Sequence, residues 1–183
     1  MPLTKLDTIP ALVVIDLQKG VVAMATVHPT AEIIARSAQL ARAFRARNLP
    51  VVLVNASGPA PGRTDFVRPK YSFPPDWMEI VPELEQQPGD HLVTKQRWGA
   101  FIGTTLDEDL RRLGVTQIVL TGIATSAGVE STARSAYDLG YNVTIVVDAV
   151  TDRDADAHRH CVEKVFPRLA ETGATEDLLK LLA

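Results

Sequence analysis

The sequence predicts an α/β protein in which helices cover both faces of a mainly parallel sheet. Three observations predict it: short runs of β-branched apolar residues, stretches with apolar residues at helical spacing, and the alternation of the two from end to end. Such alternation favours parallel strands joined by right-handed crossovers. We therefore expect a three-layer α/β/α sandwich. No internal repeat or linker divides the chain, so residues 1–183 are predicted to form a single domain.

The first part of the chain contains two predicted strands and one long helix. ALVVIDLQ at 11–18 is a short apolar run, which is typical of a strand buried on both faces. Apolar residues recur at helical spacing over 28–48, between a proline near the start and an asparagine at the end. The next apolar run, 49–56, predicts the second strand.

Residues 57–90 are rich in glycine and proline and predict a long loop. A loop of this length in a compact domain is typically either a cover over a site or a disordered segment. It carries Phe66, Tyr71, Phe73 and Trp77, and these aromatic residues favour packing.

The second part of the chain repeats the alternation of strands and helices. Strands are predicted at 91–95, 116–123 and 141–149, and helices at 104–114, 126–140, 154–172 and near the sequence EDLLKLL. Ligands of such folds bind beyond the carboxyl ends of the strands. The residues that follow the apolar runs, Asp16 and Lys95 among them, are therefore the candidates for a site.

Composition excludes several classes of function. The net charge is −3, so nucleic acid and anionic membranes are not expected as partners. The single cysteine, Cys161, excludes an intrachain disulfide or a cysteine-rich zinc site and suits a reducing cytoplasm. The first ten residues lack the apolar segment of a signal peptide, and no apolar run reaches transmembrane length. We expect a cytoplasmic protein with a small-molecule substrate.

Three motifs resemble those of the isochorismatase-like hydrolases. They are IDLQ after the first strand, TKQRWGAF after the third, and TGIATSAGVESTARSAYDLGY around the fourth. The resemblance spans residues 11–152. This superfamily contains cysteine hydrolases, such as nicotinamidases and N-carbamoylsarcosine amidases, and isochorismatases proper. It implies a three-layer α/β fold with an active site of aspartate, lysine and cysteine.

The resemblance also implies roles for particular residues. Asp16 matches the family aspartate and Lys95 the family lysine, while the position of the cysteine falls on Gly128. A cis peptide bond is implied between Ile123 and Ala124. The backbone N–H groups of Ala124 and Gly128 are implied to form an oxyanion hole, which suits the first turn of a helix because its N–H groups lack partners.

Glycine at position 128 leaves three hypotheses open. A cysteine amidase needs a thiolate that attacks a carbonyl carbon, and glycine supplies none. Isochorismatases also carry glycine at this position and hydrolyse a vinyl ether without a covalent intermediate, so the first hypothesis is a cysteine-independent hydrolase of that type. The second is an amidase whose nucleophile was lost naturally or by substitution. The third is a small-molecule-binding module without activity.

Further residues complete the predicted site. Gln18, Trp98, Phe101 and Thr125 are predicted to contact substrate, although core packing explains the two aromatic residues equally well. Ser126 fits a helix N-cap better than a nucleophile. Cys161 is predicted to be a buried, unreactive thiol.

Charged residues of the long loop remain ambiguous. Arg63, Arg68 and Lys70 suit either recognition of a substrate carboxylate or an exposed surface. Nicotinamidases bind metal through histidines after the second strand, and residues 55–90 contain none, so neither metal nor cofactor is expected. Oligomers are common in the superfamily, and a homodimer or homotetramer is predicted, with contacts from 57–90 and 126–140.

Overall fold

The computed structural model describes residues 3–65 and 72–183. Within them, six strands form one sheet in the order β3-β2-β1-β4-β5-β6, and every pair of neighbours is parallel. The strands are β1 (Pro10–Ile15), β2 (Val51–Ala56), β3 (His91–Lys95), β4 (Gln117–Ile123), β5 (Asn142–Thr151) and β6 (Glu171–Gly173). The prediction of a parallel α/β fold is confirmed.

Helices flank the sheet on both faces. The α-helices are α1 (Lys19–Val22), α2 (Thr30–Arg45), α3 (Leu106–Arg112), α4 (Glu130–Asp138), α5 (Ala155–His160) and α6 (Thr175–Leu182). The described residues also form two π-helical segments, Thr125–Val129 and Cys161–Val165, and two 3₁₀ turns, Pro82–Leu84 and Phe166–Arg168.

Two apolar layers enclose the sheet. One contains residues of α3 and α4, including Leu106, Leu110 and Ala133. The other contains residues of α2 and α6, including Phe44 and Leu178. All six residues of β1 are buried, as expected for a central strand covered on both faces. This arrangement is the predicted three-layer sandwich.

The end of the predicted helix 154–172 was wrong. Regular α-helix ends at His160. The chain continues as the π-helical segment and then as the 3₁₀ turn Phe166–Arg168. Pro167 has no N–H to donate to a helical carbonyl, which limits propagation of the helix. Glu171–Gly173 then pairs with β5 as an edge strand.

The loop after β2 is tied to the end of β1. Gln18 is fully buried; its side-chain amide donates to Ala56 O at 3.1 Å and to Trp77 O at 3.0 Å, and its Oε1 accepts from Ala56 N at 2.6 Å. The Trp77 ring packs against Phe73, with centroids 4.2 Å apart. The expected aromatic packing is therefore seen for these two residues, whereas Phe66 and Tyr71 lie outside the described residues.

Candidate active site

Asp16 lies immediately after β1 at the carboxyl edge of the sheet. Its backbone has a φ of +53°, in the left-handed region, and its N–H donates to Val54 O at 2.9 Å. Only 7% of the residue is exposed. A buried, polar residue with this backbone conformation is uncommon, and such residues cluster at functional sites.

Lys95 ends β3 and reaches Asp16 across β2. Its Nζ donates to Asp16 Oδ2 at 2.7 Å and to the carbonyl oxygen of Arg97 at 3.3 Å. Its own carbonyl oxygen accepts from the backbone N–H of Ser57 at 2.9 Å, which ties the end of β3 to the loop after β2. The structure thus brings together the two charged residues that the sequence predicted for the site.

The Asp16 carboxyl favours its protonated form more than an exposed aspartate does. Burial raises its pKa to about 6, although the neighbouring Lys95 ammonium acts in the opposite direction. Its second oxygen, Oδ1, is buried and has no hydrogen-bond partner among the described residues. An uncompensated carboxylate oxygen makes ionisation costly, so this carboxyl can hold a proton near neutral pH.

A tight turn follows β4 and faces the Asp16 carboxyl. The peptide bond between Ile123 and Ala124 is cis. The backbone N–H groups of Ala127 and Val129 both donate to Ala124 O at 3.1 Å. The N–H of Ala124 itself has no hydrogen-bond acceptor within 3–65 and 72–183, so it is available to an oxygen in front of the turn.

Hydrogen bonds with buried hydroxyl and carboxyl groups hold this turn in place. Asp152 Oδ2 accepts from the backbone N–H of Ser126 at 2.6 Å and from its hydroxyl at 2.8 Å. Thr132 donates to Gly128 O at 2.6 Å. The Ser126 hydroxyl is therefore engaged by Asp152 and does not act as the predicted N-cap, since no side chain caps this segment.

Gly128 directly adjoins the catalytic candidates. A Cβ at this position would lie 3.2 Å from Asp16 Oδ2 and 2.9 Å from the Cγ2 methyl of Ile15. The 2.9 Å distance to the Ile15 methyl is shorter than the contacts that Cβ atoms make in real structures. Ile15 is fully buried, and its branched side chain cannot easily move away. Packing around Gly128 is therefore adapted to the absence of a side chain.

A cavity of about 520 Å³ opens in front of these groups. Five residues of the predicted site line it: Asp16, Lys95, Trp98, Ala124 and Gly128. Most of the other lining residues are small or apolar, including Val21, Met24, Pro59, Ile123 and Ala127. The cavity can hold a small, partly apolar molecule in contact with a proton donor, a cation and a backbone N–H.

Three residues that the sequence assigned to substrate contact do not line this cavity. Gln18 fixes the loop after β2, as described above. Phe101 is buried with its ring centroid 5.9 Å from that of Tyr141. Thr125 is fully buried, and its hydroxyl lies 2.9 Å from His158 Nδ1. Each of these side chains packs or hydrogen-bonds inside the protein instead of facing the cavity.

Cys161 does not line the cavity, and its thiol is unreactive. Its buried thiol donates to Glu130 Oε2 at 3.0 Å. Burial and the Glu130 carboxylate raise its pKa to about 12, which keeps the sulfur protonated and poorly nucleophilic. These contacts agree with the predicted unreactive thiol.

Two arginines of the cavity were missed by the sequence reasoning. Arg97 and Arg153 line it, whereas Arg63 is exposed and does not. Arg68 and Lys70, the other loop cations considered, lie outside the described residues. Their positions in the sequence could have identified them as site residues, because Arg97 lies two residues after β3 and Arg153 two residues after β5, at the carboxyl ends of the strands.

The described residues contain neither a cluster suited to a metal ion nor a helix suited to a membrane. Within 3–65 and 72–183, no three His, Cys, Asp or Glu side chains are grouped so that they could hold a metal ion. No helix in this part of the chain has both the length and the apolar character needed to cross a membrane.

Comparison with known proteins gives one consistent family. The isochorismatase domain model matches residues 10–177. The isochorismatase family protein YwoC of Bacillus subtilis (strain 168) is 39% identical over 179 residues, which cover 93% of this chain and 92% of that protein. The structure of an isochorismatase family protein from Burkholderia thailandensis shares 43% identity, with a TM-score of 0.93 and 97% of each chain covered.

A solved amidase is similar to a lesser degree. N-carbamoylsarcosine amidase from Thermoplasma acidophilum is 27% identical, with a TM-score of 0.75, and the match covers 92% of this chain and 98% of the amidase. The same fold therefore supports amide hydrolysis in a related protein.

Proposed function

Because the chain belongs to the isochorismatase family, we propose that it is a hydrolase of a small metabolite that works without a cysteine nucleophile. The reaction that fits the site best is vinyl-ether hydrolysis of the isochorismate type. Asp16 is the general acid and base, Lys95 its electrostatic partner, and the N–H groups of Ala124 and Gly128 an oxyanion hole. Residues 1–183 form one catalytic domain in this proposal.

Each step uses groups that adjoin the cavity. Asp16 transfers its proton to the methylene carbon of the vinyl ether, which becomes a methyl group and leaves an oxocarbenium-like carbon. Water adds to that carbon and returns a proton to Asp16. The hydroxyl proton of the resulting hemiketal then passes to the ether oxygen on the ring as the bond between that oxygen and the hemiketal carbon breaks, and pyruvate and an alcohol leave. Lys95 stabilises the Asp16 carboxylate that forms after the first transfer.

The observation that carries this proposal is the state of the Asp16 carboxyl. Its pKa is raised to about 6, and Oδ1 has no partner among the described residues, which suits a group that must donate a proton at neutral pH. Gly128 supports it, because the position adjoining Asp16 Oδ2 has packing that disfavours a side chain.

The test is release of pyruvate from isochorismate by the wild type and by Asp16→Ala. We expect release by the wild type and a loss of at least about a hundredfold in the variant, which is the usual contribution of a general acid. Cys161→Ala is the matched control and should retain full activity. Absence of pyruvate from the wild-type reaction would contradict vinyl-ether hydrolysis.

A second candidate function is that of an amidase whose nucleophile is missing, and similarity to N-carbamoylsarcosine amidase favours it. The same set of variants should include Gly128→Cys with and without Ile15→Leu, because leucine lacks the Cγ2 methyl that crowds position 128. Thiol-dependent hydrolysis of N-carbamoylsarcosine by the double variant would support this candidate.

The third hypothesis, binding without turnover, predicts substrate binding that Asp16→Asn leaves unchanged.

The assembly of the protein also belongs to the proposal. A homodimer or homotetramer remains predicted, and exposed Tyr137 and Leu139 at the end of α4 are apolar surface that such a contact would cover. A light-scattering mass equal to one chain would contradict it.

A further inference from the structure

Two arginines at the cavity give it a net positive charge that the proposed chemistry does not use. We infer that Arg97 and Arg153 bind a carboxylate of the substrate, so that the substrate is a small organic acid. This inference rests on the proposed function, since it describes the molecule that Asp16 acts on. It assigns recognition to residues outside the Asp16, Lys95 and Gly128 constellation.

The charges that line the cavity do not cancel. Its charged lining residues are Asp16, Lys95, Arg97 and Arg153. Asp16 and Lys95 form an ion pair at 2.7 Å, which leaves two guanidinium groups without an opposing carboxylate among the described lining residues. The chain as a whole is negative, at −3, so this positive charge is a local property of the cavity. An anionic ligand is the complement that such a site favours.

Both guanidinium groups are available for a ligand. Neither makes a hydrogen bond or an ion pair within the described part of the chain. Several arginines elsewhere are engaged by carboxylates; for example, Arg45 contacts Asp90 at 2.7 Å, and Arg134 contacts Glu130 at 2.7 Å. A planar guanidinium with free N–H groups is suited to bidentate contact with a carboxylate.

The backbone of each arginine is fixed by a residue of the candidate site. The carbonyl oxygen of Arg97 accepts from Lys95 Nζ at 3.3 Å. The N–H of Arg153 donates to Asp152 Oδ1 at 2.7 Å, and Asp152 also holds the turn through Ser126. The backbone of Arg97 is thus held by Lys95, and that of Arg153 by the residue that holds the turn facing Asp16, so both side chains start from fixed points beside the reacting groups.

The apolar residues of the cavity lining favour an acid whose remaining part is apolar. Trp98 is 61% exposed and Met24 38% exposed, although both are apolar and line the cavity with Val21 and Ile123. Exposed apolar side chains beside free cations favour an amphipathic ligand, with an apolar or ring-shaped body and an anionic group.

The experiment measures binding, so that it does not depend on turnover. Calorimetry with benzoate is compared with neutral benzamide and with phenyl phosphate, for the wild type, Arg97→Gln, Arg153→Gln and the double variant. Arg47→Gln is the matched control, because Arg47 is an exposed arginine just beyond the end of α2 that does not line the cavity. We expect benzoate to bind the wild type and the control equally and to lose about tenfold or more in affinity in each cavity variant.

Several outcomes would overturn the inference. They are failure of the wild type to bind benzoate, binding of benzamide as tight as that of benzoate, or unchanged benzoate affinity in the double variant. Tighter binding of phenyl phosphate than of benzoate would replace the carboxylate by a phosphate. Arginine-dependent benzoate binding without pyruvate release from isochorismate would retain the acid-binding site and reject the proposed reaction, so the two failures are distinguishable.

Discussion

Asp16 concentrates two unfavourable features in one residue. Its φ of +53° lies in a region that few residues other than glycine adopt, and its carboxyl is buried with one oxygen unpartnered among the described residues. Aspartate tolerates the left-handed region better than most residues, since its short polar side chain bonds locally. Neither feature helps the protein to fold. Both are explained if the carboxyl must meet a substrate in an apolar cavity.

The raised pKa of Asp16 predicts the direction of the pH dependence. A general acid must be protonated in the free enzyme, so kcat/KM should be constant below about pH 6 and fall about tenfold per unit above it. The measurement is a profile of kcat/KM from about pH 5 to about pH 8 with the vinyl-ether substrate. Cys161→Ala should give the same profile, because the Cys161 pKa of about 12 lies above this range.

Two results would contradict this assignment. A rate that rises through pH 6 would make the Asp16 carboxylate a base in the rate-limiting step. A rate that does not vary between the limits of the profile would mean that Asp16 does not exchange a proton in that step.

At the scale of elements, the close approach of β1 and β4 builds the site. Ile15 pairs with Gly122 at the carboxyl ends of the two strands. Gly122 has a φ of +114°, and a Cβ there would lie 2.0 Å from the carbonyl oxygen of Ile15. Only glycine fits this contact. It brings Asp16, which follows β1, next to the turn that follows β4.

Gly122→Ala should therefore destabilise the protein far more than an ordinary substitution of glycine. Gly62→Ala is a matched control, because Gly62 has a similar φ of +122° but no neighbour within 4 Å of its Cβ position. We expect a loss of about 1 kcal/mol for Gly62→Ala from backbone strain alone. Gly122→Ala should lose at least about 3 kcal/mol, or fail to fold, because the backbone contact adds to the strain. Urea unfolding measures both, and equal losses would contradict the role given to the contact.

Local patterns predicted the elements that local forces determine. The predicted bounds of β3, 91–95, are those of the structure, and the other buried strands differ by a few residues. The β6 edge strand was missed because three half-buried residues carry no periodicity, and its pairing with β5 depends on tertiary structure. The π-helical character of Thr125–Val129 was missed for a related reason. Side chains from distant elements, such as Asp152, hold that segment.

The same reasoning separates the parts of the site. Asp16 and Lys95 were found from sequence because each follows an apolar run and matches a motif. Gln18 and Thr125 have the same positional signal, yet their side chains turn inward to Ala56 and His158. Arg97 and Arg153 were missed, since a sequence does not show which surface arginines remain unpaired beside a cavity.

At the scale of the whole molecule, the candidate site joins distant parts of the chain through a buried ion pair. Asp16 and Lys95 are 79 residues apart and belong to strands separated by β2. Neighbouring strands are about 4.8 Å apart, so the lysine spans roughly twice that distance. Removing two charges from water offsets much of their attraction, and such a pair contributes little net stability. It is retained, in our proposal, for chemistry.

This trade-off predicts the stabilities of three variants at about pH 8, where Asp16 is ionised. Lys95→Met leaves a buried carboxylate and Asp16→Asn leaves a buried ammonium, so each should lower the free energy of unfolding by about 3 kcal/mol. The double variant removes both charges and keeps a residue at position 16 that tolerates a positive φ. It should therefore be more stable than either single variant, with a coupling of about 2 kcal/mol in a double-mutant cycle.

Urea unfolding followed by circular dichroism gives the four free energies, and the cycle should be repeated at about pH 5. There Asp16 is mostly protonated in the folded wild type, so Lys95→Met no longer isolates a carboxylate and its cost should shrink. The double variant should hold its stability at both pH values and have no activity. If the losses of unfolding free energy in the two single variants add up to the loss in the double variant at the higher pH, the two side chains contribute to stability independently. The buried pair would then explain neither the pKa of Asp16 nor the retention of Lys95.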